Sequence, residues 1–273
     1  MPHQNTTLSL QIKKFTPYIS RLACAPRFAG VVRLADMYLA LLQGKGGGGV
    51  WQFNAESVAA AAKIHTQIPV LFDVGANRGG WSKDISEILG EGRKPRLFLF
   101  EPSAECNALM KNMGLPNATF YQAAVGDIPG EATMFVPDST STVSSLHKRR
   151  DSFIQHLDFT EVKVKVVTID EVVEKEHLQQ IDFMKMDVEG HELSVLKGAR
   201  KSLESGMIKA LSFEFGAPNL NSRTFFFDFW DLLRPLGYQF LRITPGGCLL
   251  PVEEYYEDLE YFRACANYIA FKE

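Results

Sequence analysis

From Pro69 onward the chain alternates short apolar runs with longer amphipathic ones. The runs PVLFDV, RLFLFE, ATFYQAAVG, EATMFVP and EVKVKVVTID each predict a strand, as do IDFMKMDV, IKALSFEF, YQFLRI and the terminal NYIAFKE. EVKVKVVTID alternates with period two, and the others are nearly continuous in Val, Leu, Ile and Phe. Between them GWSKDISEILG, SAECNALMKNMG, HELSVLKGARKSLESG and TFFFDFWDLLRPLG predict helices. Strands alternating with helices imply βαβ units, hence an α/β domain with a mostly parallel sheet covered on both faces. The segment DSTSTVSSLHKRRDSF (138–153) is polar and irregular, and a loop of that length inside a compact domain is usually functional or mobile.

Upstream the pattern changes. Residues 8–43 predict a helical arm, and the run GKGGGG (Gly44–Gly49) breaks it off, because successive glycines are costly to hold in a helix or strand. The expected division is residues 1–49 as arm and glycine-rich linker, and residues 50–273 as the main domain. NAESVAAAAKIH then predicts a helix capped by Asn54. The most apolar early stretch, VVRLADMYLALL, is interrupted by Arg33 and Asp36, so neither a transmembrane segment nor a signal peptide is expected. Such an arm is expected to dock on the main domain, or on a second copy as a homodimer.

Composition narrows the class. The 273 residues are 46% hydrophobic and 22% charged, as in ordinary globular proteins, and the net charge of −3 argues against nucleic acid as a partner. Cys24, Cys106, Cys248 and Cys265 form no CxxC pair and have no His at zinc spacing, so reduced thiols and a cytoplasmic location are expected.

The first strand ends in an Asp and then breaks into glycines: LFDVGANRGGWS, Leu71–Ser82. In an open α/β sheet, ligands bind beyond the carboxyl ends of the strands where strand order reverses. Gly75 lets the chain turn sharply there, while Gly79 and Gly80 let a ligand approach the backbone. The spacing is neither GxGxxG nor a P-loop. Asp73 would repel a phosphate but welcome a cation or hydrogen-bond donors, which S-adenosylmethionine carries as its sulfonium and amino group. Glu101, ending the second strand, is placed to take ribose hydroxyls, and Asp127 after the third strand suits an adenine amino group. A nicotinamide-dependent oxidoreductase and a catalytically silent scaffold are the rival readings.

Six segments together resemble the FkbM-type family of S-adenosylmethionine-dependent methyltransferases: FDVGANRGGWS, FEP, AVGD, MKMDVEGHELSVLKGA, FEFG and NYIAFKE, spanning Val70 to Phe271. The resemblance implies a class I (Rossmann-like) fold of seven strands with the last antiparallel. It also implies methylation of hydroxyl groups on sugars, glycolipids or other secondary metabolites. On its motifs the cofactor-binding residues are Asp73, Gly75, Ala76, Asn77, Gly79, Ser82, Glu101, Pro102 and Asp127.

Methylating a hydroxyl requires a base for its proton. The fourth strand of the series delivers Lys185, Asp187, Glu189 and His191 around Gly190. Alternation separates Lys185 and Asp187, with Glu189, from Met184, Met186 and Val188. His191 is the first candidate base because its reference pKa lies near neutrality. Asp187 and Glu189 fall short of the fuller ligand pattern of catechol-type methyltransferases, so no metal is expected. Ser144, Ser145 and His147 could line the acceptor site, as could Glu214. Lys148–Arg150 could meet an anionic acceptor such as a phosphorylated sugar carrier, though a charge run is usually a solvated face, and TFFFDFW reads as core plus dimer surface.

Overall fold

The computed structural model describes residues 6–23, 25–46, 55–137, 142–152 and 154–272. Asn54, Gly47–Gly49, residues 138–141 and Phe153 of the expected linker, cap and loop lie outside these. The chain divides into two units, residues 1–43 and 44–273. The first holds helices α1 (Thr6–Ala23) and α2 (Pro26–Leu42). Pro26 opens α2, where its missing N–H would have had no partner anyway.

In the second unit α3 (Ala55–Ala61) precedes the series β1 (Val70–Val74), α4 (Gly80–Leu89), β2 (Arg96–Phe100), α5 (Ala104–Asn112) and β3 (Ala118–Tyr121). Three short strands follow: β4 (Ala124–Val125), β5 (Gly130–Val136) and β6 (Thr160–Val167). Then come α6 (Ile169–Lys175), β7 (Ile181–Met186), α7 (Glu192–Lys197), α8 (Arg200–Glu204) and β8 (Ile208–Phe215). The chain closes with α9 (Asn219–Ser222), α10 (Phe226–Leu233), β9 (Gln239–Ile243), β10 (Leu249–Val252) and β11 (Ala266–Phe271).

The main sheet runs β3-β2-β1-β7-β8-β11-β9-β10. Strands β3 to β8 pair in parallel, while β11 is antiparallel to both its neighbours. This is the class I methyltransferase arrangement with one strand more than expected: β10, which pairs antiparallel to β9 at the edge. The run ATFYQAAVG is not one strand. It breaks at Gln122, and Ala124–Val125 join β6 and β5 in a separate three-stranded sheet. That small sheet absorbs EATMFVP and EVKVKVV, joined as an antiparallel hairpin from Gly130↔Val166 to Val136↔Thr160. The predicted helix 191–206 is two helices, α7 and α8, with Gly198 between them. A side chain on Gly198 would meet the carbonyl of Gly126 at 2.0 Å, so only glycine lets these segments touch.

Alternation along the strands sorts the core into two layers. Leu71, Leu97, Leu99 and Phe183 face α3, α4 and α5 through Ala60, Ile85 and Met110. Phe72, Phe98, Met184, Leu211, Phe213 and Phe215 face the other side, against Val172, Leu196, Leu203, Phe226 and Phe229. The aromatic run before Trp230 thus divides: Phe226 and Phe229 are core, while Phe225 and Phe227 are exposed. Phe213 is the centre of this layer, stacked on Phe229 at 4.5 Å between ring centroids and on Tyr268 at 5.6 Å. Phe213→Ala should therefore lose about 3–5 kcal/mol of stability, the range for deleting a buried aromatic ring. Urea unfolding of the variant and the parent checks this, and a loss below about 1 kcal/mol would mean the layer is not close-packed.

Candidate active site

The order reverses between β1 and β7, and there the turns after the two strands touch. Gly75 has φ +78°, and a Cβ on it would lie 1.9 Å from the carbonyl oxygen of Asp187. The amides of Gly75 and Ala76 both donate to the carbonyl of Phe100, and that of Asp187 donates to Val74. These bonds draw the ends of β1, β2 and β7 together. Asn77 (φ 46°) donates its amide to Glu101 Oε2 at 3.0 Å, and Ser103 donates to Oε1 at 2.8 Å. The Glu101 carboxylate is thereby held at the β2 end. Burial raises its pKa, and the two amides oppose the rise.

Beneath the turn lies a buried charge cluster. Lys185 Nζ sits 3.2 Å from Asp187 Oδ2 and 3.6 Å from Asp73 Oδ1. Burial disfavours its charge, but Asp187, Asp73 and Glu56 prevail and hold its pKa above the ordinary lysine value. Asp73 accepts from Ser82 Oγ at 2.7 Å. Asp73 and Ser82, expected to touch the cofactor, are fully enclosed and brace the turn from below. Glu56, which no sequence signal singles out, reaches the cluster from α3 and accepts from Ser212 at 2.8 Å.

After β7 the alternation stops. Glu189 takes φ 54° and Gly190 φ 97°, where a Cβ would meet the Pro218 carbonyl at 2.8 Å. Glu189 therefore leaves the Lys185 face and pairs with Arg149, which also binds Asp151 at 2.9 Å. The KRR run is thus not wholly solvated: Lys148 and Arg150 are exposed, and Arg149 is buried between two carboxylates. The same segment sends Ser145 Oγ to the Glu189 carbonyl at 2.8 Å, and its backbone bridges Phe135. His147 Nε2 lies 3.0 Å from His191 Nδ1. Burial and then His147 push His191 down to about 4, so the near-neutral pKa expected of it does not hold. Burial and then Asp187 push Glu189 up to about 8, against Arg149. Glu192 Oε1 accepts from the amides of Val188 and Gly190, closing the turn, and burial raises its carboxyl to about 7. Burial first, then Asp187, raises Glu214 as well.

Two open cavities meet here. One, of about 670 Å³, is lined by Gly75, Asn77, Glu101, Pro102, Ser144, Ser145, Asp187, Glu189 and His191, with apolar walls from Phe100, Val125 and Met134. The other, of about 880 Å³, is lined by Glu56, Ala76, Arg78, Gly80, Trp81 and Lys185. Gly75, Asn77, Thr142 and Asp187 belong to both. Asp127 is exposed and lines neither, and Gly79 caps α4 against Met110 and Met113 instead. His147 and Glu214 line neither cavity. The residues present fit S-adenosylmethionine. Glu101 lies beside the apolar walls of Phe100, Val125 and Met134, the pairing of carboxylate and apolar surface that a nucleoside needs. The second cavity offers Arg78 and Lys185 beside Glu56, opposite charges suited to an amino acid's ends. The buried Trp81 Nε1 there donates to nothing among the described residues.

Residues 73–240, more than half of the chain, match the family described as Methyltransferase FkbM domain. The hexuronic acid methyltransferase AglP of Haloferax volcanii is 29% identical over 143 residues, covering 50% of this chain and 52% of that protein. The 2-O-methyltransferase NoeI of Sinorhizobium fredii is 26% identical over 163 residues, covering 53% and 66%. The chain thus spans only about half to two thirds of the length of these relatives. A solved FkbM methyltransferase from Methylobacillus flagellatus superposes with a TM-score of 0.45 at 18% identity, covering 75% of this chain and 44% of that one.

Glu192 gives the site a pH signature. Its folded pKa of about 7 lies above the roughly 4.3 of a free glutamate, so its contribution to stability is complete below about pH 4 and lost as pH rises through 7. Glu192→Gln keeps an acceptor for the two amides without the charge. The variant should be more stable than the parent at pH 8, by on the order of 2 kcal/mol, and no more stable at pH 4. Denaturant unfolding at both pH values tests the sign.

Proposed function

The chain belongs to the FkbM methyltransferase family, and from that premise we propose that it moves a methyl group from S-adenosylmethionine to a hydroxyl of a sugar unit. The sugar would belong to a glycan, glycolipid or secondary metabolite. The observation that carries the donor assignment is Glu101, a carboxylate held by two amides at the end of β2 on the wall of the 670 Å³ cavity. Such a carboxylate accepts from two vicinal hydroxyls, as a ribose presents them. Bound there, the cofactor supplies a methyl group made electrophilic by its sulfonium. The family match removes the nicotinamide reading. The sugar acceptor rests on the names of AglP and NoeI.

Asp187, with Asn77 and Thr142, belongs to both cavities, and so lies where the nucleoside and amino-acid halves of the donor would meet. Glu189 is our choice of base in place of His191. His191 is already engaged with His147 and holds a proton weakly, with its Nε2 turned to Gly126. Glu189, near 8, is matched to take a proton from a hydroxyl in mildly alkaline solution. Arg149, on the same carboxylate, keeps it positioned.

Titration calorimetry with S-adenosylhomocysteine tests the donor half. Glu101→Ala should weaken binding roughly 10- to 100-fold, the worth of hydrogen bonds to a charged group. No binding to the folded parent would end the assignment. Labelled methyl donor incubated with glycan and glycolipid fractions tests the acceptor half. With the acceptor found, the rate should rise with pH through about 8 and level off. Glu189→Gln should cut turnover about 10²- to 10⁴-fold and leave donor affinity unchanged. A rate independent of pH, untouched by that substitution, would point to a carboxylate acceptor, which needs no base.

A further inference from the structure

The helical unit of residues 1–43 carries surface that the methyltransferase reading does not use. In α1, Phe15, Tyr18 and Ile19 share one face by helical spacing. In α2, Val31, Tyr38 and Leu42 do the same. All six are 57–72% exposed. A pair of helices this short is too small to bury such side chains in a core of its own.

Charge selects what covers them. The unit holds Lys13, Lys14, Arg21, Arg27 and Arg33 against a single acid, Asp36, a net +4. With −3 for the whole chain, the remainder carries −7. Lys14 and Arg21 fall within one turn of Tyr18, and Arg27 one turn before Val31, so basic groups border both apolar faces. Long basic side chains at such borders lay their stems along apolar surface and keep the charge in the polar layer. No helix among the described residues is long and apolar enough to cross a membrane. Apolar faces edged by Lys and Arg lie along a lipid interface instead. A second copy's arm would bring another +4 and repel.

We propose that α1 and α2 form a membrane-surface arm, two amphipathic helices that seat the enzyme on anionic lipid. The inference is independent of the catalytic reading.

Flotation of the full chain with phosphatidylglycerol–phosphatidylcholine vesicles, and with phosphatidylcholine alone, tests it. Binding should require the anionic lipid and fall as salt is raised. Lys13→Glu, Lys14→Glu and Arg21→Glu together should weaken it roughly a hundredfold or more, from about fivefold per basic residue at such a surface. Tyr18→Ser with Ile19→Ser should weaken it too. Far-UV circular dichroism and thermal unfolding check that each variant is folded. Failure to float overturns the proposal, as does equal binding to neutral vesicles or full binding by the charge-reversed variant. If light scattering finds a lipid-free dimer that Tyr18→Ser with Ile19→Ser dissociates, the partner is a second copy and the lipid assignment is wrong.

Discussion

The contact between Gly75 and the carbonyl of Asp187 leaves no room for even a methyl group. Everything at the site is hung from it. Because the backbones meet there, the turn after β1 and the turn after β7 occupy adjacent places at the strand ends. Asp187 then stands where the two cavities join, and Lys185 lies directly below, between the carboxylates of both strands.

The approach concentrates acid. Asp73, Asp187, Glu189, Glu192 and Glu214 all gather behind or around one cavity wall, with Lys185 and Arg149 as the cations paired to them. Burying charge in this way costs stability, and Asp73, Glu189, Glu192 and Glu214 respond by holding their protons more tightly. The result is a pocket floor with acid to spare. A ligand that brings its own positive charge relieves it, and one that brings a phosphate does not.

Much of this was legible in the residues. Continuous apolar runs marked the buried strands, because a parallel strand covered on both faces has no polar side to show. The glycine turn and Glu101 were legible for the same reason: Asp and Gly at strand ends have no stabilising role in a strand. What failed did so through tertiary effects. ATFYQAAVG reads as one strand, yet its two halves belong to different sheets. Arg149 looks like its neighbours Lys148 and Arg150, and only the fold distinguishes the one that is buried. His191 looked like the base because its free pKa is convenient, and burial beside His147 removed the convenience. Glu56 had no local signal, since it acts from a helix that precedes the motif.

The segment that carries Ser144, Ser145, His147 and Arg149 is the connection between the two strands of one hairpin, β5 and β6. Its ends are pinned by that ladder, and lengthening a loop whose ends are already joined adds little entropic cost. The cavity beside Glu101 takes Ser144, Ser145 and Leu146 from this connection, and most of its other lining from the ends of β1, β2, β4 and β7. Insertion and deletion in this one connection can therefore reshape one wall of that cavity while the strand ends that hold Glu101 stay as they are. Change there costs the fold little except at Ser145 and Arg149, whose ties to Glu189 give the connection two fixed points between its ends.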